Sequence, residues 1–247
     1  MELKTLLELN EGSVVSVVGA GGKTSFLFSL AEELRLKFKV LVTTTTNIYV
    51  PQRKQYDFIA VENEKTLVEE YCQSKRKGIY VLGKLINSEN KLQALSDIKL
   101  TSILKYFDYV LIEADGSKRK PIKGWNDTEP VISGNTTATI GILDIQVLGK
   151  EINEDLVHRV DKFLELTGAH RNQLIEFGHL EAVVFSSKGL FKNAAGNKIL
   201  FINKVEREED FMSAAKLAQC VYRKGVENIN KVITGSLKNN KFKLEHH

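Results

Sequence analysis

The sequence of 247 residues has little of what marks secreted, disulfide-linked or membrane-spanning proteins. Its two cysteines, Cys72 and Cys220, are too few and too far apart to form a disulfide framework or a metal cluster. No continuous apolar run approaches the roughly 18 residues that cross a bilayer. The first four residues do not have the pattern of a secretion signal. We therefore expect a cytoplasmic protein without a membrane partner.

The sequence also contains few histidines and has a small net charge. Two of the five histidines end the chain, where residues 244–247 resemble the remnant of a purification tag. His170 and His179 do not have metal-ligand spacing with either cysteine, so we predict no zinc site. The formal net charge of +4 is too small to indicate a nucleic-acid partner without a clustered basic patch.

Proline occurs only three times, always outside short apolar runs that alternate with helix-like segments. Unbroken runs of this length are typical of parallel strands buried on both faces. The alternation predicts a three-layer α/β fold, with a mostly parallel sheet and helices on both faces. The predicted strands are 13–18, 40–43, 58–61, 79–82, 109–112, 139–147, 199–202 and 231–233. The predicted helices are 24–37, 64–74, 92–106, 155–166 and 208–224.

The chain has no clear linker, repeat or low-complexity tract, which favours a single domain over residues 1–243. Two segments interrupt the pattern. Residues 83–94 are polar and are typical of a turn or small hairpin. Residues 116–134 are irregular and contain several glycines and prolines, and a loop of this length is usually functional or mobile.

The clearest motif is VVGAGGKTS at 17–25, which follows an apolar strand and opens a helix. Glycines let backbone N–H groups turn toward a phosphate, and the helix N-terminus adds partial positive charge. Lys23 would reach the terminal phosphates and Thr24 would ligate Mg²⁺. The spacing is two residues shorter than in the common phosphate-binding loop, and the alternative is a plain glycine-rich turn. The residues predicted to hold the nucleotide phosphates are Gly19, Ala20, Gly21, Gly22, Lys23, Thr24 and Ser25.

An acidic partner follows the apolar strand of DYVLIEADG at 108–116. Glu113 and Asp115 come at its carboxyl end, where open parallel sheets bind ligands. We predict that both hold Mg²⁺, directly or through water, and that Lys23, Glu113 and Asp115 are the catalytic residues. The alternative is a polar strand end at a turn.

Two further segments are candidates for a second substrate. A basic run beside the acidic motif could bind phosphate or an anionic substrate, and it could equally be a solvated loop. A hydroxyl-rich run after the second predicted strand points toward the same edge, although threonine is also common in strands. The candidate residues are Thr44, Thr45, Thr46, Asn47, Lys118, Arg119 and Lys120.

A base-reading motif is predicted after the strand at 199–202. GTPases recognise guanine with Asn-Lys-x-Asp at this place in the fold, and here the residues are Asn203, Lys204 and Glu206. Glutamate in place of aspartate leaves guanine, adenine and no base recognition as alternatives. Arg159 could act on phosphate or pair with an acid on the surface.

Together these motifs resemble the family of selenium-dependent hydroxylase accessory proteins, also called the selenium cofactor biosynthesis protein YqeC family. The matching segments are VVGAGGKTS (17–25), VTTTTNIYVP (42–51), LIEADGSKRKPIK (111–123), EPVI (129–132), VHRVDKFLELTG (157–168) and INKVE (202–206). The resemblance implies a P-loop nucleoside-triphosphatase fold. It also implies a role in maturing selenium-dependent molybdenum hydroxylases, with such an enzyme or its maturation factors as partner.

These observations predict a Mg²⁺-dependent protein that binds and hydrolyses ATP or GTP. Two alternatives stay open on the residues alone. One is a small-molecule kinase or ATP-dependent ligase, in which the basic and threonine runs hold an acceptor. The other is a binding module that holds nucleotide without turnover, because no residue is an evident base for positioning water.

Overall fold

A computed structural model of the protein describes residues 2–224 and 229–246. Within these residues the chain is an α/β protein with a nine-stranded, mostly parallel sheet and helices on both faces. This confirms the predicted three-layer architecture. No helix in the described part of the chain is long and apolar enough to cross a bilayer.

The strands and helices alternate along most of the chain. The strands are β1 (Ser13–Gly19), β2 (Lys39–Thr44), β3 (Asn47–Tyr49), β4 (Phe58–Val61), β5 (Gly78–Gly83), β6 (Lys91–Gln93), β7 (Tyr109–Glu113), β8 (Ile122–Lys123), β9 (Ala138–Asp144), β10 (Val157–His158), β11 (Asn197–Asn203), β12 (Lys231–Ser236) and β13 (Lys241–Leu244). The helices are α1 (Leu3–Leu7), α2 (Lys23–Leu34), α3 (Lys65–Gln73), α4 (Asp97–Leu104), α5 (Val160–Thr167), α6 (Phe177–Phe185) and α7 (Glu208–Arg223).

The main sheet has the strand order β13-β12-β11-β9-β1-β7-β2-β5-β4. All neighbours are parallel except β12 and β13. In the centre, Val17 of β1 is in register with Glu113 of β7. Asn203 of β11 is likewise in register with Asp144 of β9. The polar residues that end these strands therefore lie side by side at the carboxyl ends of the parallel strands.

Alternate residues of β1 pack into opposite layers, as expected for a strand buried on both faces. Val15 and Val17 pack in the core formed with α1 and α2. Val14 packs with α3 and α4, and Val18 packs with α5, α6 and α7. Side chains from β1 thus contribute to every layer of the core, which fixes the loop that follows it.

Helix α2 sets the position of that loop because its apolar residues recur at helical spacing. Phe26, Leu30 and Leu34 are almost completely buried, and the Phe26 ring packs 5.0 Å from that of Phe201. Burying each such side chain stabilises the fold by roughly 1.5–3 kcal/mol. The helix is thereby held against the sheet with its N-terminus at the carboxyl end of β1.

Several predicted boundaries are wrong because local pairing overrides helical periodicity. The helix predicted from residue 92 begins at Asp97, since Lys91–Gln93 pairs with β3 and the Ser96 side chain caps the helix. The helix predicted from residue 155 begins at Val160, since Val157–His158 pairs with β8. The strand predicted over 139–147 ends at Asp144, where a 3₁₀ turn begins.

The two segments that interrupt the predicted alternation, 83–94 and 116–134, contain short paired strands. Within 83–94, Ile86 forms an antiparallel bridge with Leu92, and β6 pairs with β3. Within 116–134, β8 pairs with β10. Leu244, which we assigned to a tag remnant, is the last residue of β13.

Candidate functional site

Three glycines shape the turn between β1 and α2, which together with the first residues of α2 we call the glycine loop (residues 19–25). Gly19, Gly21 and Gly22 have φ angles of 97°, 80° and 142°, which side-chain-bearing residues rarely adopt. A Cβ atom at Gly21 would lie 2.4 Å from the Cβ of Asp144. One at Gly22 would lie 2.4 Å from the Asn203 amide nitrogen. Both the conformation and the close packing therefore require glycine.

The backbone amides of this loop divide into two groups. The Gly19 amide donates to Asp115 and the Ala20 amide donates to the Ile142 carbonyl. The amides of 21–25 have no hydrogen-bond acceptor anywhere in the described part of the chain. These five residues line the cleft and run from the turn before α2 into its first turn, so their N–H groups lie at the positive end of the helix dipole. We call this row of free amides the cradle; helix N-termini with free N–H groups are the kind of place where proteins bind anions.

Lys23 lies at the floor of the cradle and is only 3% exposed. Its ammonium group donates to the Gly19 carbonyl at 2.7 Å. It also lies 3.3 Å from Asp115 and 3.8 Å from Glu113. The two carboxylates thus hold the lysine beneath the amides of its own loop.

Glu113 and Thr24 join the end of β7 to the first turn of α2. The Thr24 hydroxyl donates to Glu113 Oε2 at 2.8 Å, and both residues line the cleft. Burial raises the pKa of Glu113, against the opposing effect of Lys23. Hydroxyl and carboxylate oxygens are the ligands that Mg²⁺ accepts in proteins. Within 2–224 and 229–246, no cluster of three or more His, Cys, Asp or Glu side chains could hold a metal ion.

Asp115 occupies a different position, completely buried behind the loop. Its Oδ2 atom accepts hydrogen bonds from the Gly19 amide, Lys123 and Trp125. Its Oδ1 atom faces Lys23 and has no hydrogen-bond partner among the described residues. Burial alone would raise the pKa of Asp115, but Lys23 and Lys123 outweigh burial and lower the pKa below its usual value.

The contacts continue from Asp115 through a chain of buried charges. Lys123 is fully buried, and its ammonium group also donates to Glu129 at 3.0 Å and to the Gly116 carbonyl at 2.6 Å. Glu129 pairs in turn with Arg159, the N-cap residue of α5. Burial lowers the pKa of Lys123, an effect that Asp115 and Glu129 oppose. Arg159 therefore pairs with a partly buried acid, and 24% of its own side chain is exposed.

The sequence did not identify Glu129 and Trp125 as members of this site, and Lys123 was interpreted only as one cation of the basic run. Lys123 belongs to a run of cations that is typical of an exposed loop. The available signal was the single tryptophan of the chain two residues later, because a buried indole N–H needs an acceptor.

Asn203 ties the glycine loop to the last parallel strand. Its side-chain amide donates to the Gly21 carbonyl at 2.8 Å and accepts from the Leu237 amide at 3.3 Å. Glu206 faces the cleft, and its carboxylate accepts from the Ser236 hydroxyl at 2.8 Å. The predicted base-reading residues therefore lie beside the glycine loop.

Lys204 pairs with Asp144, a buried acid that the sequence analysis did not identify. Burial raises the pKa of Asp144, with Lys204 opposing the change. Asp144 packs directly against Gly21. This pair braces the wall of the cleft between β9 and β11.

The cleft has a volume of about 910 Å³ and runs along the carboxyl ends of the strands. Its walls include the glycine loop, the cations Lys118, Arg119 and Lys120, and Asn47. Thr44, Thr45 and Thr46 are not part of the lining. Their hydroxyls bond within the chain, to the Glu113 carbonyl, to the Val131 carbonyl and to each other.

The fold and this site define an α/β protein with a cleft at the carboxyl ends of the strands of a mostly parallel sheet. The family model described as YqeC protein matches residues 15–161. The uncharacterized protein YqeC of Escherichia coli (strain K12) is 30% identical over 222 residues, covering 88% of this chain and 86% of the relative. The chain belongs to the YqeC family. The matched range includes the glycine loop, both site carboxylates and Arg159, and it ends before Asn203.

Proposed function

We propose that this YqeC-family protein binds a Mg²⁺–nucleoside triphosphate in the cleft and hydrolyses it. The observation that carries the proposal is the row of five amides at residues 21–25 without an acceptor, with Lys23 buried beneath them. Such a row offers several donors to the oxygens of one phosphate chain. The lysine adds a full positive charge at the same place.

Mg²⁺ fits the residues at the end of β7. Thr24 and Glu113 supply a hydroxyl and a carboxylate that are already in contact, and Mg²⁺ usually completes its shell with water and phosphate oxygens. The ion would supply positive charge against the phosphate oxygens as the terminal phosphoryl group is transferred to water. Asp115 is better placed to orient Lys23 and the Gly19 amide than to contact the ion.

The chain's own residues would stabilise the charge that develops on phosphate oxygens. Lys23 and the amides of the cradle are fixed before the reaction, so little reorganisation is needed at the moment of transfer. Asn203 restrains the loop from the opposite side by holding the Gly21 carbonyl. This restraint keeps the loop in the conformation that its glycines allow.

We further propose GTP as the preferred nucleotide over ATP. The Glu206 carboxylate faces the cleft at the β11–β12 end and is oriented by Ser236. A carboxylate can accept hydrogen bonds from the N1 and N2 groups of guanine. Adenine instead presents a hydrogen-bond acceptor at the matching position, which a carboxylate cannot pair with. ATP is the alternative, and competition between the two nucleotides separates them.

The resemblance to selenium-dependent hydroxylase accessory proteins supports one further proposal. Hydrolysis would serve the maturation of selenium-dependent molybdenum hydroxylases, by changing the conformation of this protein while it is bound to the immature enzyme or a maturation factor. The test is the turnover rate with and without the immature hydroxylase. An equal rate and no complex by gel filtration would contradict this role.

The primary experiment compares Lys23→Ala with the native protein by calorimetry, using a nonhydrolysable GTP analogue and Mg²⁺. We expect loss of tight binding in the variant. The matched control is Lys65→Ala, an exposed lysine at the start of α3 and away from the cleft. Unchanged affinity in Lys23→Ala would refute the proposal. A single-turnover assay with labelled GTP then separates hydrolysis from binding without turnover.

A further inference from the structure

The cleft extends past Glu113 to a second end built by other elements. This end is formed by the β3–β6 pair and the 116–121 segment. We call it the far subsite and define it by Tyr49, Lys91, Lys118 and Arg119, which all line the cleft. None of them belongs to the glycine loop or to the residues that follow β11.

The strand order separates the far subsite from the proposed base-binding end. In the main sheet, β11 lies two strands from β1 on one side. β2 lies two strands from β1 on the other side, and the chain continues from β2 into β3. Strands are spaced about 4.8 Å apart, so β11 and β2 are separated by roughly 19 Å. The glycine loop lies between them. Suppose that a nucleotide binds with its base near Glu206 and its phosphates on the glycine loop. The far subsite would then lie beyond the phosphate end of the nucleotide and would stay free.

Two of the three cations of the far subsite form no ion pair with a carboxylate in the described part of the chain. Arg119 lies 4.2 Å from the centre of the Tyr49 ring, which holds the guanidinium by a cation–π contact. Among the described residues, neither Arg119 nor Lys118 has a carboxylate partner. Lys91, in contrast, pairs with Glu89. Two cations are thus available to a ligand on this wall.

The backbone presents these two cations in an unusual conformation. Lys118 and Arg119 have φ angles of 48° and 62°, in the left-handed region that side-chain-bearing residues seldom occupy. The turn is closed by the Lys120 amide, which donates to the Ser117 carbonyl at 2.9 Å. The Lys120 ammonium group donates to the Glu154 carbonyl at 2.7 Å, which secures the turn to the body of the protein.

We infer that the far subsite binds a second ligand, a small phosphate monoester, while nucleotide occupies the glycine loop. Arg119 and Lys118 would contact the phosphate, because a guanidinium matches two phosphate oxygens at once. Tyr49 is a positioning residue that holds Arg119. The inference goes beyond the proposed function, since the cradle already provides Lys23 and five amides for the nucleotide phosphates.

The test measures binding of phenyl phosphate by calorimetry to protein saturated with the nonhydrolysable GTP analogue and Mg²⁺. We expect Arg119→Ala and Lys118→Ala each to weaken phenyl phosphate at least tenfold, with nucleotide affinity unchanged within twofold. Tyr49→Ala should weaken the probe severalfold and Tyr49→Phe, which keeps the ring, should not. Lys75→Ala, an exposed lysine outside the cleft, is the control and should leave both affinities unchanged.

Three results would overturn the inference. They are no binding of phenyl phosphate at millimolar concentration, displacement of the probe by nucleotide, and an equal loss of both affinities in Arg119→Ala. The last two would assign the cations to the nucleotide phosphates. Failure of the far-subsite inference can be distinguished from failure of the proposed function by repeating the phenyl phosphate titration with Lys23→Ala in the absence of nucleotide. Arg119-dependent probe binding in that variant would support the far subsite even if no nucleotide binds.

Discussion

Asp115 and Lys123 form an ion pair in which both side chains are completely buried, with 3.0 Å between Oδ2 and Nζ. The same Oδ2 atom accepts from the Gly19 amide, so the pair fixes the first residue of the glycine loop. Lys123 also binds Glu129, which pairs with Arg159 at the start of α5. Glycine loop and α5 are therefore linked by alternating charges rather than by apolar packing alone.

Replacing Lys123 by methionine should destabilise the protein by about 3–5 kcal/mol, because the change leaves Asp115 buried without its partner. Urea unfolding followed by circular dichroism measures the loss. The matched control is Lys120→Met on the same segment, where a partly exposed lysine is replaced and a change near 0.5 kcal/mol is expected. A loss below about 1 kcal/mol in Lys123→Met would show that the pair does not hold this region.

Much of the main sheet could be predicted from sequence, and particular residues show why. Each parallel strand of the main sheet is a short apolar run bounded by polar residues, so it is visible locally. β13 was missed because its residues Lys241–Leu244 alternate charged and apolar side chains, and only pairing with β12 makes them a strand. Helix α6 was missed because it is apolar on most sides and shows little periodicity.

The site was predictable where its residues are adjacent in sequence. The glycine loop follows β1 and Glu113 ends the neighbouring parallel strand β7, so the topology brings them together. Lys123 could not be identified, because its burial depends on Asp115 and Glu129 surrounding it in three dimensions. Asp144 was missed for a similar reason, since its role depends on contact with Gly21 across the sheet edge.

Glu113→Gln should raise the Mg²⁺ concentration needed for half-maximal nucleotide binding on the order of tenfold, because a neutral amide is a weaker ligand for Mg²⁺. Titration of Mg²⁺ at fixed GTP analogue measures this shift. The amide oxygen can still accept from the Thr24 hydroxyl, so stability should change little.

Asp115→Asn is the comparison for this prediction. Because Asp115 lies behind the loop and holds two lysines, this variant should lose stability without a comparable change in Mg²⁺ dependence. The opposite pattern, with Mg²⁺ dependence shifted only in Asp115→Asn, would make Asp115 the metal ligand.

Glu206→Gln should lower affinity for GTP about tenfold or more and leave that for ATP within about twofold. The amide loses one of the two acceptor sites that a carboxylate presents to the guanine edge. Competition with a fluorescent nucleotide gives both affinities. Glu208→Gln, at an exposed position at the start of α7, should change neither value. Equal losses for the two nucleotides would mean that Glu206 does not select the base.

His158 predicts how stability depends on pH. Burial, with Arg159 and Lys123 nearby, lowers the pKa of His158 from 6.5 to about 4; Glu129 opposes this shift and Lys118 adds to it. As the pH falls below 6.5 the unfolded chain takes up the proton first, so stability is lost between pH 6.5 and 4. The native protein should therefore lose about 2–3 kcal/mol more than His158→Gln between pH 7 and 4.5, by urea unfolding at each pH. Because the carboxylates titrate in both proteins, the difference isolates the histidine, and parallel stability curves would place the His158 pKa near its ordinary value.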